Sequence, residues 1–174
     1  NFFRSGGGCA NTGELPGVSL HEWGHGMDTN DGGGTSPDNG TGETYGDFTA
    51  ALATHTSCTG NGFLASNCGG YGNACTSCTG VRDIDWAKHS RNTASTVQNF
   101  TRNTCPTPSA NNPNYVGPCG KDAMADGVTS KKREGHCESL VSSEALWDLA
   151  ARDLPSPGSG SAWATVARLW YLSR

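Results

Sequence analysis

Residues 20–28 read LHEWGHGMD, and the spacing of His21, Glu22 and His25 within that run decides how the chain is expected to fold. Two histidines four residues apart project from the same face of an α-helix, so a helix would aim both imidazoles at one point. Glu22 stands about 100° round from His21, within reach of a water held there without being a ligand itself. Two neutral ring nitrogens with an adjacent carboxylate are what a catalytic zinc site takes from one helix. Such a site still needs a third protein ligand and an open position.

The next segment supplies the ligand. GTGETYGDFTAALATH carries Glu43 and Asp47, again four apart and on one helical face. Glu43 is expected to offer a carboxylate oxygen. Asp47 is expected to accept the free ring N–H of a ligating histidine and fix its tautomer. The alanine-rich run 50–53 favours a helix over 42–55, with Thr41 as its N-cap. Tyr45, Phe48, Ala51 and Leu52 give it an apolar side to bury. Between the two helices, residues 29–41 are nearly all turn formers and are expected to form a loop.

These two blocks together resemble the gluzincin pattern of thermolysin-like and fungalysin-like metallopeptidases, HExxH followed by ExxxD. The resemblance implies that His21, His25 and Glu43 hold Zn²⁺, that Glu22 is the general base and that Asp47 orients a histidine. GHCESLVSSEALWDLAARDL adds a third block, similar to the fungalysin-type run in which a histidine precedes an LWDL-like helix. By that resemblance His136 donates a hydrogen bond to the oxyanion of the tetrahedral intermediate. A preplaced donor opposite the metal is also what developing charge there requires. Tyr115 is a further candidate donor. The implied reaction is hydrolysis of peptide bonds in a peptide or protein substrate.

Two other third ligands fit less well. A metzincin-like reading would use Asp31, but needs glycine where Asp28 stands. An aspzincin-like reading finds a partial GTxxDxxYG echo, with glutamate at position 43.

The resemblance covers residues 16–53 and 134–150. Its family places a β-rich subdomain ahead of HExxH, whose edge strand binds peptide by strand addition. Twenty residues precede His21, so the chain is expected to be the helical half of a zincin-type α+β domain, accompanied by other fragments of the same precursor. The expected fold is mainly α, in one domain with long disulfide-stapled loops. Beyond the two metal-site helices, a third is expected over 138–152. A fourth over 161–172 repeats Trp163, Val166, Ala167 and Trp170 at i, i+3, i+4 and i+7. The metal helix should begin near Val18 or Ser19, and residues 81–90 read as strand or short helix.

Composition sets further limits. The 174 residues include 25 glycines and are 34% hydrophobic, so the core is modest and loops are long. Eight cysteines (9, 58, 68, 75, 78, 105, 119 and 137) suit disulfides in a secreted protein, although Cys75 and Cys78 also have the spacing of half a thiolate zinc site. A formal charge of −4, without aromatics interleaved among basic residues, argues against nucleic-acid binding. No apolar stretch is long enough for a membrane span. Asp28, Asp31 and Asp38, or Asp83 and Asp85, offer oxygens to Ca²⁺. Lys131-Lys132-Arg133 reads as a solvated loop, and Asn39 and Asn99 begin glycosylation acceptors. The chief non-enzymatic alternative is a disulfide-stapled component of a secreted or surface assembly that keeps the metal as a tie. A carbohydrate- or cell-surface-binding module using Trp23, Trp86 and Tyr115 has no aromatic pattern behind it.

Overall fold

The computed structural model describes residues 2, 4–32, 36, 39–65, 77–85, 105 and 135–173. They are mainly helical. A 3-10 turn at Thr12–Glu14 leads into α1 (Pro16–Asn30), and α2 spans Asn39–Thr54. Two short strands follow, β1 (Cys58–Thr59) and β2 (Arg82–Asp83), then α3 (Gly135–Glu138), α4 (Leu140–Asp148) and α5 (Gly160–Leu172). The strands pair antiparallel, Cys58 opposite Asp83 and Thr59 opposite Arg82.

Helix α1 begins at Pro16, two residues before the expected start. A proline at the first helical position has its φ preset and lacks only an N–H that would find no partner there. Helix α2 likewise starts early, which puts Thr41, exposed, inside its first turn and not at the N-cap. The helices pack at backbone distance where Gly24 meets Gly46. A Cβ on Gly24 would lie 2.9 Å from Gly46 Cα and 3.0 Å from Tyr45 O. Asp28 ties down the connection, taking a 2.8 Å bond from the Ser36 hydroxyl and another from its backbone N–H.

The opposite side of α2 faces the core. Phe48 and Ala51 pack with Ile84, Leu140, Ala150, Trp163 and Val166. The apolar stripe of α5 behaves as its period foretold: Trp163 and Val166 are buried, and Trp170 lies against Tyr45 and Phe48. Ser159 caps that helix through Ala162 N–H. The expected helix over 138–152 is longer and broken. It starts at Gly135, turns at Ser139, and ends in a π-helical turn at Leu149–Asp153. Arg152 in that turn holds both Asp148 and Asp85, fastening the chain beyond β2 to α4. Residues 81–85 prove strand-like at their centre, with Val81 exposed and Ile84 fully buried.

Two disulfides occur among the described residues. Cys58–Cys78 ties β1 to the chain just ahead of β2, and Cys105–Cys137 anchors α3. The bridge at Cys78 removes the thiolate zinc reading of Cys75 and Cys78, because an oxidised sulfur is no longer a thiolate ligand. Cys9 is unbridged, so the eight cysteines do not all pair. Cys68, Cys75, Cys119, Tyr115, Trp86, Asp38, Asn99 and the 131–133 basic run lie outside the described residues. No helix among the described residues is long and apolar enough to cross a membrane. The disulfides suit an oxidising, extracellular setting.

Candidate metal centre

Helix α1 presents His21 and His25 one turn apart on the face that meets α2, and α2 presents Glu43 to both. Their rings stand edge to face, 88° apart, with the two Nε2 atoms separated by 3.0 Å. Glu43 Oε2 lies 3.1 Å from His21 Nε2 and 3.6 Å from His25 Nε2. Among the described residues, these three make up the group of histidine and acidic side chains whose ligand atoms converge closely enough to hold a metal ion.

The spacing fits a cation better than it fits hydrogen bonds. Ligands about 2.0–2.1 Å from a tetrahedral metal are about 3.3 Å from one another, and the three separations straddle that edge. Glu43 Oε2 is buried yet accepts no well-formed hydrogen bond, although imidazoles crowd around it. A buried carboxylate oxygen without a donor is costly unless something positive sits in front of it. The residues present therefore fit a metal with two nitrogens and one oxygen.

A second tier holds the ligands in place. His21 Nδ1 donates to Asp47 Oδ1 at 2.8 Å, which turns Nε2 toward the centre. Asp47 is completely buried and is also gripped by Arg82 of β2. Its Oδ2 accepts from Arg82 Nε at 2.8 Å and its Oδ1 from the terminal Nη2 at 2.7 Å. Thr59 of β1 adds a longer contact to the same Oδ1. The Arg82 guanidinium reaches Glu43 as well, at 3.8 Å.

These contacts set the charges of the metal-free site. Burial opposes ionisation of Asp47, but the Arg82 guanidinium and His21 outweigh it and hold the carboxyl far below its usual range. Burial likewise works against a charged His21. The hydrogen bond to Asp47 and the nearby Glu43 carboxylate overcome it and raise the imidazole to about 9. Glu43 stays well below the ordinary carboxylate range, because His21, His25, His136 and Arg82 together exceed its burial penalty.

His136 arrives from α3, with Nε2 3.1 Å from Glu43 Oε2. It stands in the first turn of the helix and not on a loop before it. It falls outside the converging three, on their open side. Two features fix its position. Cys137 next to it is bridged to Cys105, and Thr44 of α2 bonds Ser142 Oγ and Ser139 O at the start of α4. Side-chain exposure is graded across the cluster: His21 and Glu43 are enclosed, whereas His25 is 33% and His136 41% exposed. One side of the centre is therefore open.

Glu22 follows His21 on α1, is half-buried, and is not among the converging ligands. Asp31 caps the exposed end of α1, away from the group, which leaves Glu43 as the third member. Asp85 is engaged by Arg152, and Asp83 accepts the Asp85 N–H, so this pair turns inward to the protein. Sequence reasoning missed Arg82 and Thr59. A lone arginine in VRDIDW has no motif; only the demand of a buried Asp47 for a cation pointed to one. Protein-family models, curated proteins and solved structures give no match to this chain.

Proposed function

We propose that the chain carries the catalytic metal centre of a zinc-dependent endopeptidase of gluzincin type. The observation that carries this reading is the convergence of His21 Nε2, His25 Nε2 and Glu43 Oε2 on one point with an open side. Two imidazoles and one carboxylate suit zinc, and three protein ligands with a free position are the usual set for catalysis by that metal. When bound, zinc supplies Lewis acidity, polarising a carbonyl and lowering the pKa of water.

The protein's own groups do the rest. Glu22, beside the ligand His21, takes the proton from the attacking water and hands it to the leaving amine. His136, exposed on the open side, donates to the oxygen on which negative charge develops. Asp47 holds the His21 ring so that its ligating nitrogen cannot turn away. The exposed side supports this reading over a purely structural tie, which usually closes its fourth position with protein.

Two measurements test it. The purified full chain, with any companion fragments, should contain one zinc per molecule. Glu22→Gln should keep that zinc while cleavage of casein or a peptide library falls about 10²–10⁴-fold. Zinc retained with no cleavage by the parent would instead support the structural component.

A further inference from the structure

Arg82 lies outside every motif, yet among the described strand residues it is the one that reaches both carboxylates of α2. Its guanidinium forks onto Asp47 with bonds of 2.8 and 2.7 Å and stands 3.8 Å from Glu43. The 2.7 Å bond ends on Oδ1, the same oxygen that accepts from His21. Arg82 is buried, so water does little of this work in its place.

We infer that Arg82 is a positioning residue of the metal centre, which aims His21 through Asp47 and is delivered by β2, just beyond the bridged Cys78 and paired with β1. The inference rests on the reading that His21, His25 and Glu43 bind a metal.

The reasoning runs through geometry. A carboxylate with one histidine partner can rotate about its terminal torsion, and the imidazole would follow it. Two bonds from a planar guanidinium lock the carboxylate plane, and only arginine offers that fork. Arg82 is itself held by its surroundings. Its strand pairs with β1 through Thr59, and its carbonyl faces Cys78 Sγ at 3.3 Å. Cys78 is bridged to Cys58 at the neighbouring strand position. The chain thus runs from disulfide to strand to guanidinium to carboxylate to imidazole. Charge works in the same direction: a fully buried Asp47 needs a permanent cation, since a metal-bound imidazole is neutral.

The test uses the full chain, with zinc and Co²⁺ as probes. Zinc affinity is measured by competition with a chromophoric chelator for the parent, Arg82→Met and Arg82→Lys. Thermal unfolding of each metal-free protein is recorded alongside. The expected result is about 10–100-fold weaker zinc binding in Arg82→Met. Arg82→Lys, which keeps the charge but not the fork, should recover part of the loss. The visible spectrum of bound Co²⁺ should shift in both, reporting altered histidine orientation, which a loss of stability alone does not produce. If Arg82→Met does not fold, Arg82→Lys decides. Zinc affinity within twofold of the parent and an unchanged Co²⁺ spectrum in Arg82→Lys overturn the inference while leaving the metal reading intact. A parent that binds no zinc overturns both.

Discussion

Gly46 of α2 lies flat against the imidazole of His21, so close that a Cβ there would sit 2.6 Å from Nδ1 and Cε1. No methyl group fits without moving the ring or parting the helices. Gly46→Ala should therefore leave α2 helical, since alanine favours helix, but displace the ring. The expected outcome is at least a tenfold loss of zinc affinity, read by chelator competition. Unchanged affinity would mean that the helices separate easily and that the contact does not set the site.

On the proposed reading, His136 serves turnover and does not hold the metal. His136→Gln should retain one equivalent of zinc, because His136 is outside the converging three. Its kcat should fall about 10²–10³-fold, the usual effect of losing one oxyanion donor. Zinc loss in this variant would reassign His136 as a fourth ligand.

Metal binding should release a proton. His21 is raised from 6.5 to about 9 in the metal-free fold. The stabilisation linked to that shift is fully present below pH 6.5 and disappears as pH climbs through about 9. A ligating nitrogen must be unprotonated, so zinc displaces that proton throughout the same window. Apparent zinc affinity should rise about tenfold per pH unit between roughly pH 7 and 9, then level off. Calorimetry in buffers of different ionisation enthalpy should count close to one proton released at pH 7.5. A flat affinity profile with no proton release would falsify the charged His21.

The two disulfides should separate stability from metal binding. The bridged positions are 20 and 32 residues apart, and loop entropy makes each bridge worth about 3–4 kcal/mol. Replacing Cys105 and Cys137 by serine should lower stability and turnover, since α3 carries His136, yet leave zinc affinity nearly intact. The same change at Cys58 and Cys78 should weaken zinc binding as well, since Cys78 faces the Arg82 carbonyl and Cys58 lies in the strand paired with Arg82. Denaturant unfolding with zinc titration on both variants reads the difference. Equal effects of the two pairs on zinc would remove the distinction.

That His21 and His25 share one helical face, and Glu43 and Asp47 another, was legible in the sequence for one reason. Side chains four residues apart on a helix point the same way whatever surrounds them, and the helical period is local chemistry. The α5 stripe could be read in the same way, from the recurrence of Trp163, Val166 and Trp170. What tertiary structure alone decided is which distant groups answer the charges that the helices bury. Arg82 meets Asp47 across 35 positions, and His136 meets Glu43 across a still longer interval. Neither pairing leaves a periodic trace, because it depends on where strands and disulfides bring the backbone together. The Gly24–Gly46 crossing belongs to that second kind as well, whereas the start of α1 at Pro16 is local chemistry. Helix propensity is summed along the chain, whereas close approach and charge compensation are settled only once the helices are packed.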